Sequence, residues 1–282
     1  DLFDFRRRLL HSRLALSLLL SFAVSPILFY LSTSLLSYIG TSIMVLALSL
    51  VCAGMILRDK PAFPFVWNKV MIWVFACASI WIVFALFSLV DIQWDDQLYY
   101  SVAGFDHATR ISIVDAMSRT GVPPVNPSYF SGQPVKLSFL YFFWYILGGF
   151  VDFIGGSAVD ARGAFFASAI WCGLGLMAVI SFYLRLRSKE KRQDRWALAF
   201  TGIGLLTVTG LDIFPAILIM SNLKTPLADI EHWNEQVSAW MSSLLWVPHH
   251  IAALIAGVVA VMLVLAMHGQ TRKRQFVLMA VA

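Results

Sequence analysis

Apolar residues run along this chain in stretches far longer than a soluble core requires, and charges collect in the breaks between them. About 20 consecutive apolar residues carry a helix across a bilayer. On that measure the pattern predicts spans over roughly 9–31, 34–57, 67–90, 161–184, 196–219 and 247–267, with a further one opening near 276. One more apolar stretch, LSFLYFFWYILGGFVDFI at 137–154, differs from these. It is short, rich in aromatic residues, and interrupted by Gly148, Gly149 and Asp152.

The basic clusters decide how that stretch is placed. Arg6, Arg7 and Arg8 precede the first span, and Arg58, Lys60 and Lys69 separate the second from the third. Arg185, Arg187, Lys189, Lys191, Arg192 and Arg195 follow the span 161–184, and Arg272, Lys273 and Arg274 follow the span 247–267. Lysine and arginine accumulate on the cytoplasmic side. If 137–154 crosses, the last two clusters fall outside. If it lies at the outer surface as a re-entrant or interfacial helix, all four clusters face the cytoplasm. The outer loops are then 91–160 and 220–246, the second carrying Asp229, Glu231 and Glu235. The first apolar run is too long for a signal peptide and has no small-residue cleavage site, so it is expected to stay in the membrane. The expected fold is an all-α, polytopic helical bundle, with a hairpin over 1–60 followed by a module over 61–282. The chain starts without Met and stops inside the apolar run QFVLMAVA, as expected for a piece of a longer protein.

Composition agrees with this picture. Hydrophobic residues make up 59% and charged residues 13%, against about 25% charged in an ordinary soluble domain. The formal net charge of +5 follows from the cytoplasmic clusters and does not call for a nucleic-acid partner. Cys52, Cys77 and Cys172 all lie in apolar runs and form no disulfide framework.

Candidate chemistry is confined to the outer loops. FDHATRISIVDAMSRTGVPPVNP, at 105–127, predicts a short helix over 106–119 that Gly121, Pro123 and Pro124 terminate. On the helical wheel Asp115 and Arg119 form an ordinary solvated pair, whereas Asp106 and Arg110 share the stripe with Ile113, Val114 and Met117. A carboxylate and a guanidinium on a packing face are either a helix-fixing ion pair or part of a site. DIQWDDQLYY puts Asp91, Asp95 and Asp96 at the outer end of the third span. These are solvated boundary acids, oxygen ligands for a divalent metal, or a source of a general base. Asp212, in TGLDIFP, is an acid near the outer end of an apolar run. WVPHH opens a span with His249 and His250. Adjacent residues on a helix point about 100° apart, which argues against one metal bound by both; interfacial capping, phosphate contact and proton transfer remain open. IEHWNEQVSAW, at 230–240, suits a second surface helix, and the GLG of CGLGLM suits close helix packing. There is no Walker, Rossmann, HExxH, CxxC or GxSxG pattern.

The pieces WDDQLYY, FDHATR, GVPPVNPSYFSGQPVKLSFLYFFWY and SAVDARGAFFAS together resemble the GT-C membrane glycosyltransferases, and most of all their bacterial relatives, over roughly 67–267. The resemblance implies a bundle with juxtamembrane helices in the first long outer loop, sited in the bacterial cytoplasmic (inner) membrane with the N-terminus inside. It implies transfer of a sugar from a polyprenyl-phosphate carrier to an acceptor on the outer face, with a divalent cation (Mg or Mn) as possible cofactor. Asp96, Asp95 or Asp106 would then supply the base. Asp96 ranks ahead of Asp106, because the Arg110 guanidinium beside Asp106 makes it a weaker base. Arg110, Lys136, Arg162, Asp212, His249 and His250 would contact the substrate. Membrane lipids and partner membrane subunits are the other expected partners. A non-catalytic subunit that keeps this fold is the alternative. A transporter fits less well, since no internal repeat and no mid-span charge in matching halves is visible.

Overall fold

The computed structural model describes residues 10–59, 69–99, 104, 106–129, 134–137, 142–188, 200–202, 204, 217–219, 221, 222, 224 and 239–266. In chain order the elements are α1 (Leu10–Asp59), α2 (Lys69–Leu89), β1 (Ile92–Trp94), β2 (Gln97–Tyr99), α3 (His107–Thr120), α4 (Phe142–Gly155), α5 (Ala161–Ser188), α6 (Ala239–Trp246) and α7 (Pro248–Ala266). Among the described residues α1, α2, α5 and α7 are long and apolar enough to cross a membrane. The predicted spans 196–219 and from 276 onward, and the basic residues at 6–8, 189–195 and 272–274, lie wholly or largely outside the described residues.

The two spans expected over 9–57 are the two arms of α1. Ser37 is the break, with φ 62° and ψ 178° inside an otherwise helical run. Eight residues of unbroken helix advance about 12 Å, yet the Thr33 and Thr41 hydroxyls lie 3.2 Å apart. The arms therefore fold back on each other at Ser37. Thr41 Oγ1 also donates to the Ser37 carbonyl at 2.8 Å, one turn back in the second arm.

The side chains on α2 and α5 give the packing direction. Asp91, just past α2, pairs with Arg162 at the start of α5 at 2.6 Å, while Trp81 Nε1, farther back on α2, donates to the Ile170 carbonyl farther along α5 at 3.0 Å. The two helices are thus antiparallel, and their close approach depends on glycine. A Cβ added at Gly173 would overlap the Trp81 indole, and one added at Gly175 would overlap the Phe22 ring of α1. The GLG run is a packing seat, as the sequence suggests. Phe22 stacks on Trp171 at 4.2 Å, and Trp171 on Trp144 of α4 at 5.5 Å, so one aromatic column joins α1, α5 and α4.

The helix α4 has 14 residues and is about 21 Å long at 1.5 Å per residue, short of the roughly 30 Å hydrocarbon core. It rests on the vertex of α1, where Phe150 meets Phe29 at 4.7 Å and Phe153 stacks on Tyr38 at 5.3 Å. Gly148 and Gly149 do not interrupt it. They are buried within a continuous helix, and an added Cβ would stand 3.3 Å from Val114 or 3.0 Å from Met117 of α3. The glycine pair that interrupts the apolar run is the seat on which α3 docks. The end of the bundle that holds α3, α4, α6 and the strands is called the loop end below.

The expectation of an all-α chain needs one correction. Residues 92–99 form an antiparallel hairpin with pairs Ile92–Tyr99, Gln93–Leu98 and Trp94–Gln97. Short runs containing Ile, Trp and Tyr on either side of a two-residue Asp95–Asp96 turn are a hairpin pattern. Attention to the acids alone conceals it.

Two outcomes test this architecture. With native cysteines replaced, cysteines introduced at Ser128 and Ser188 should react with an impermeant maleimide from opposite sides of the membrane, since only α5 crosses between them. Reaction of both from one side would mean that α4 crosses as well. Gly173→Ala should lower the thermal midpoint, at a cost of about 1–3 kcal/mol for overpacking. Gly257→Ala, where an added Cβ meets nothing within 4 Å, should leave the midpoint unchanged or raise it.

Candidate functional site

The loop end is organised by α3. Its C-terminus is set by Gly121, at φ 80°, whose N–H bonds the Met117 carbonyl at 2.9 Å. Ile113, Val114, Ala116 and Met117 form the buried face that the wheel predicts. Asp115 and Arg119 pair at 2.8 Å on the other side, with the Arg119 side chain 74% exposed.

At the N-terminal end of α3, Asp106, Arg110 and Trp246 close a ring. Trp246 Nε1 donates to Asp106 Oδ2 at 2.9 Å, and Arg110 Nη2 reaches the same oxygen at 3.3 Å. Arg110 Nη1 donates to the Trp246 carbonyl. The guanidinium also stands 5.7 Å from the centroid of the Trp246 ring, a cation–π contact. Only 13% of the Arg110 side chain is exposed, against 40% for Asp106. Arg110 therefore faces the membrane domain as expected, whereas Asp106 is as exposed as Asp115, at 40% each.

One residue along, His107 is buried and its Nε2 lies 2.8 Å from the Leu245 carbonyl. A carbonyl only accepts, so His107 carries its proton on Nε2. Its ring meets Phe165 edge-on at 5.0 Å and Phe166 at 6.2 Å. Burial holds the His107 imidazole below its ordinary value; the Leu245 carbonyl opposes this, Arg110 adds to it, Asp106 opposes it, and Arg162 adds to it. Phe166 also lies under the Arg162 guanidinium at 5.2 Å. Arg110, His107, Phe166, Arg162 and Asp91 thus follow one another across the loop end. On the α7 side, His249 is buried with its Nδ1 3.5 Å from the Tyr145 hydroxyl, and its ring is 4.4 Å from that of His250, which is exposed.

Other predicted residues are not drawn in. Asp95, at φ 55°, and Asp96 form the exposed turn of the hairpin. Lys136 is exposed on a short segment bridged to Val125. Asp212 lies outside the described residues. Asp91 turns to Arg162 and does not join Asp95 and Asp96 in a cage. Among the described residues no group of three or more His, Cys, Asp or Glu is placed to hold a metal ion. His107, Trp246 and Tyr145 were missing from the sequence candidates. The spacing of His107 and Arg110, three apart on one helical face, was the available signal for the first.

Chemically, the layer offers two carboxylates, two guanidiniums and three imidazoles at the end of a bundle of membrane-length helices. Such a set can hold an anionic group and move a proton beside it. No family model matches the sequence, and no curated protein or solved structure is significantly similar to it.

The acid side of the pH range tests the role of His107. Its folded-state value lies below its unfolded value, so the neutral form is favoured on folding. That contribution is complete above the unfolded value of about 6.5. It is lost as pH falls through 6.5 toward the lower folded value. The thermal midpoint should therefore drop between pH 7 and pH 5, and drop less in His107→Gln. Equal slopes for the two proteins would remove His107 from that role.

Proposed function

We propose that this chain is an integral membrane glycosyltransferase of GT-C-like architecture, acting at the outer face of the bacterial inner membrane on a polyprenyl-phosphate-linked sugar. The N-terminus is assigned to the cytoplasm. The observation that carries this reading is the grouping of Asp106, Arg110, Arg162, His249 and His250 in one layer at the loop end. Four features support it: the antiparallel membrane-length helices, the short α3 and α4 in the first long loop, the aromatic surroundings, and the collection of anion-binding groups where a lipid phosphate would arrive.

In this mechanism a carboxylate takes the proton from an acceptor hydroxyl. The acceptor oxygen bonds the anomeric carbon as the bond from that carbon to the phosphate oxygen breaks. The leaving polyprenyl phosphate keeps the electron pair. Arg162 and His250, the more exposed of the cationic and imidazole groups, are assigned to the developing charge. The grouping favours Asp106 over Asp96 as the base, because base and phosphate stabiliser must flank one carbon. Asp96 stands on an exposed turn.

One observation favours a second reading, a non-catalytic subunit of a larger membrane assembly. Asp106 and Arg110 already bind each other and Trp246, which is sufficient employment for a purely structural pair.

Transfer from polyprenyl-phosphate sugars in proteoliposomes separates the two. Asp106→Asn keeps an acceptor for Trp246 but removes the base, so transfer should fall at least about a hundredfold with the chain still folded. Arg162→Ala should also lose activity, and Asp115→Asn should not. Absence of transfer by the unaltered chain, with Asp106→Asn affecting only the thermal midpoint, would establish the structural reading instead.

A further inference from the structure

The β1–β2 hairpin takes no part in the layer just described and has little packing against the helices. Residues directly opposite in an antiparallel pair share a face. The pairs Ile92–Tyr99 and Trp94–Gln97 therefore put Ile92, Trp94, Gln97 and Tyr99 on one face, and Gln93 with Leu98 on the other. Trp94 is 72% and Tyr99 54% exposed. The Tyr99 hydroxyl lies 3.0 Å from Gln97 Oε1, so the polar tip of the ring is already engaged while its apolar body is uncovered. A lone two-stranded hairpin of this size is marginal in water. Something must cover its aromatic face.

Its position says what does. The helical bonding of α2 continues to Val90, whose N–H bonds the Leu86 carbonyl at 3.0 Å. The exposed apolar residues Val83, Phe87 and Val90 lead along α2 directly to Ile92. Asp91 alone separates them and is held at 2.6 Å by Arg162. With about 3.3 Å per strand residue, the aromatic face begins within roughly 10 Å of the end of α2. The headgroup region is about 5–8 Å deep on each side of the hydrocarbon, and Trp and Tyr favour that depth. We propose that the Ile92–Trp94–Tyr99 face lies in the headgroup layer of the bilayer at the loop end and anchors the end of α2 there. The exposed Asp95–Asp96 turn sets how it lies. Two carboxylates stay in water, so the hairpin rests along the surface and does not drive its tip inward. The same negative tip rules out anchoring by anionic lipid charge. The contact is apolar and aromatic and is retained in zwitterionic lipid. None of this depends on the transferase reading.

Spin labelling of the full chain in phosphatidylcholine bilayers tests it. Cys52 and Cys77 are exposed and Cys172 is buried; all three are first replaced by alanine. Single labels then go at Trp94→Cys, Tyr99→Cys, Gln93→Cys and Asp96→Cys, so that each face variant keeps the other aromatic. Collision with oxygen reports lipid, and collision with a water-soluble nickel chelate reports solvent. The oxygen-to-nickel ratio is expected to be several-fold higher at 94 and 99 than at 93 and 96. High nickel accessibility at all four positions would overturn the proposal, because the hairpin then stands in water. Shielding of 94 and 99 from both reagents would also overturn it, because protein then covers the face.

Discussion

A backbone carbonyl within a membrane protein has little water to fall back on, and the break between α6 and α7 leaves the last carbonyls of α6 short of helical donors. Pro248 opens α7 without an N–H to offer, and the carbonyls of Leu245 and Trp246 are met from α3, by His107 and Arg110. A buried polar group left unsatisfied costs about 1–3 kcal/mol. Much of the loop end follows from this demand. It fixes the rotation and height of α3 over the bundle. It brings Asp106 in to neutralise Arg110 and accept the Trp246 indole N–H. With α3 held there, the apolar part of the same face, Val114 and Met117, needs a partner that allows close approach, and Gly148 and Gly149 of α4 provide one. The helix α4 is thereby kept at the loop end, against the vertex of α1.

Several of these features were readable from the sequence because they depend on local rules. The spans follow apolar length, the end of α3 follows Gly121, and the inward facing of Arg110 follows the wheel. The exclusion of 137–154 from the crossings rested on the charge clusters and on the segment's shortness and aromatic content, and a helix of 14 residues agrees with it. The features that were missed depend on what lies across the fold. That Gly149 is a packing seat is decided by Tyr38 of α1 and Met117 of α3, both far away in sequence. His107 becomes informative only once Leu245 stands opposite it. Asp95 and Asp96 looked like members of a cluster because they adjoin Asp91, but strand pairing carries them to a turn while Asp91 stays with α5.

The three arginine–carboxylate pairs at this end show how burial sets the extent of pairing. Arg119, 74% exposed, has the Asp115 carboxylate for an ion-pair partner, and such surface pairs contribute about 0–1 kcal/mol. Arg162, 43% exposed, has Asp91 and the face of Phe166. Arg110, 13% exposed, has a carboxylate, a carbonyl and an indole ring. Desolvating an ion costs several kcal/mol, so each step inward calls for another partner. Removing Asp106 or Trp246 leaves Arg110 as a poorly compensated buried charge, which makes that ring the rigid part of the layer. Arg162 is different. It sits where α2 ends, and exchanging Asp91 for another anion there leaves its aromatic contact intact and demands little desolvation. Under the proposed transferase reading, a lipid-borne phosphate would meet Arg162 before Arg110. Arg110 holds α3 in place, and Arg162 is the guanidinium of the two that is able to change partners.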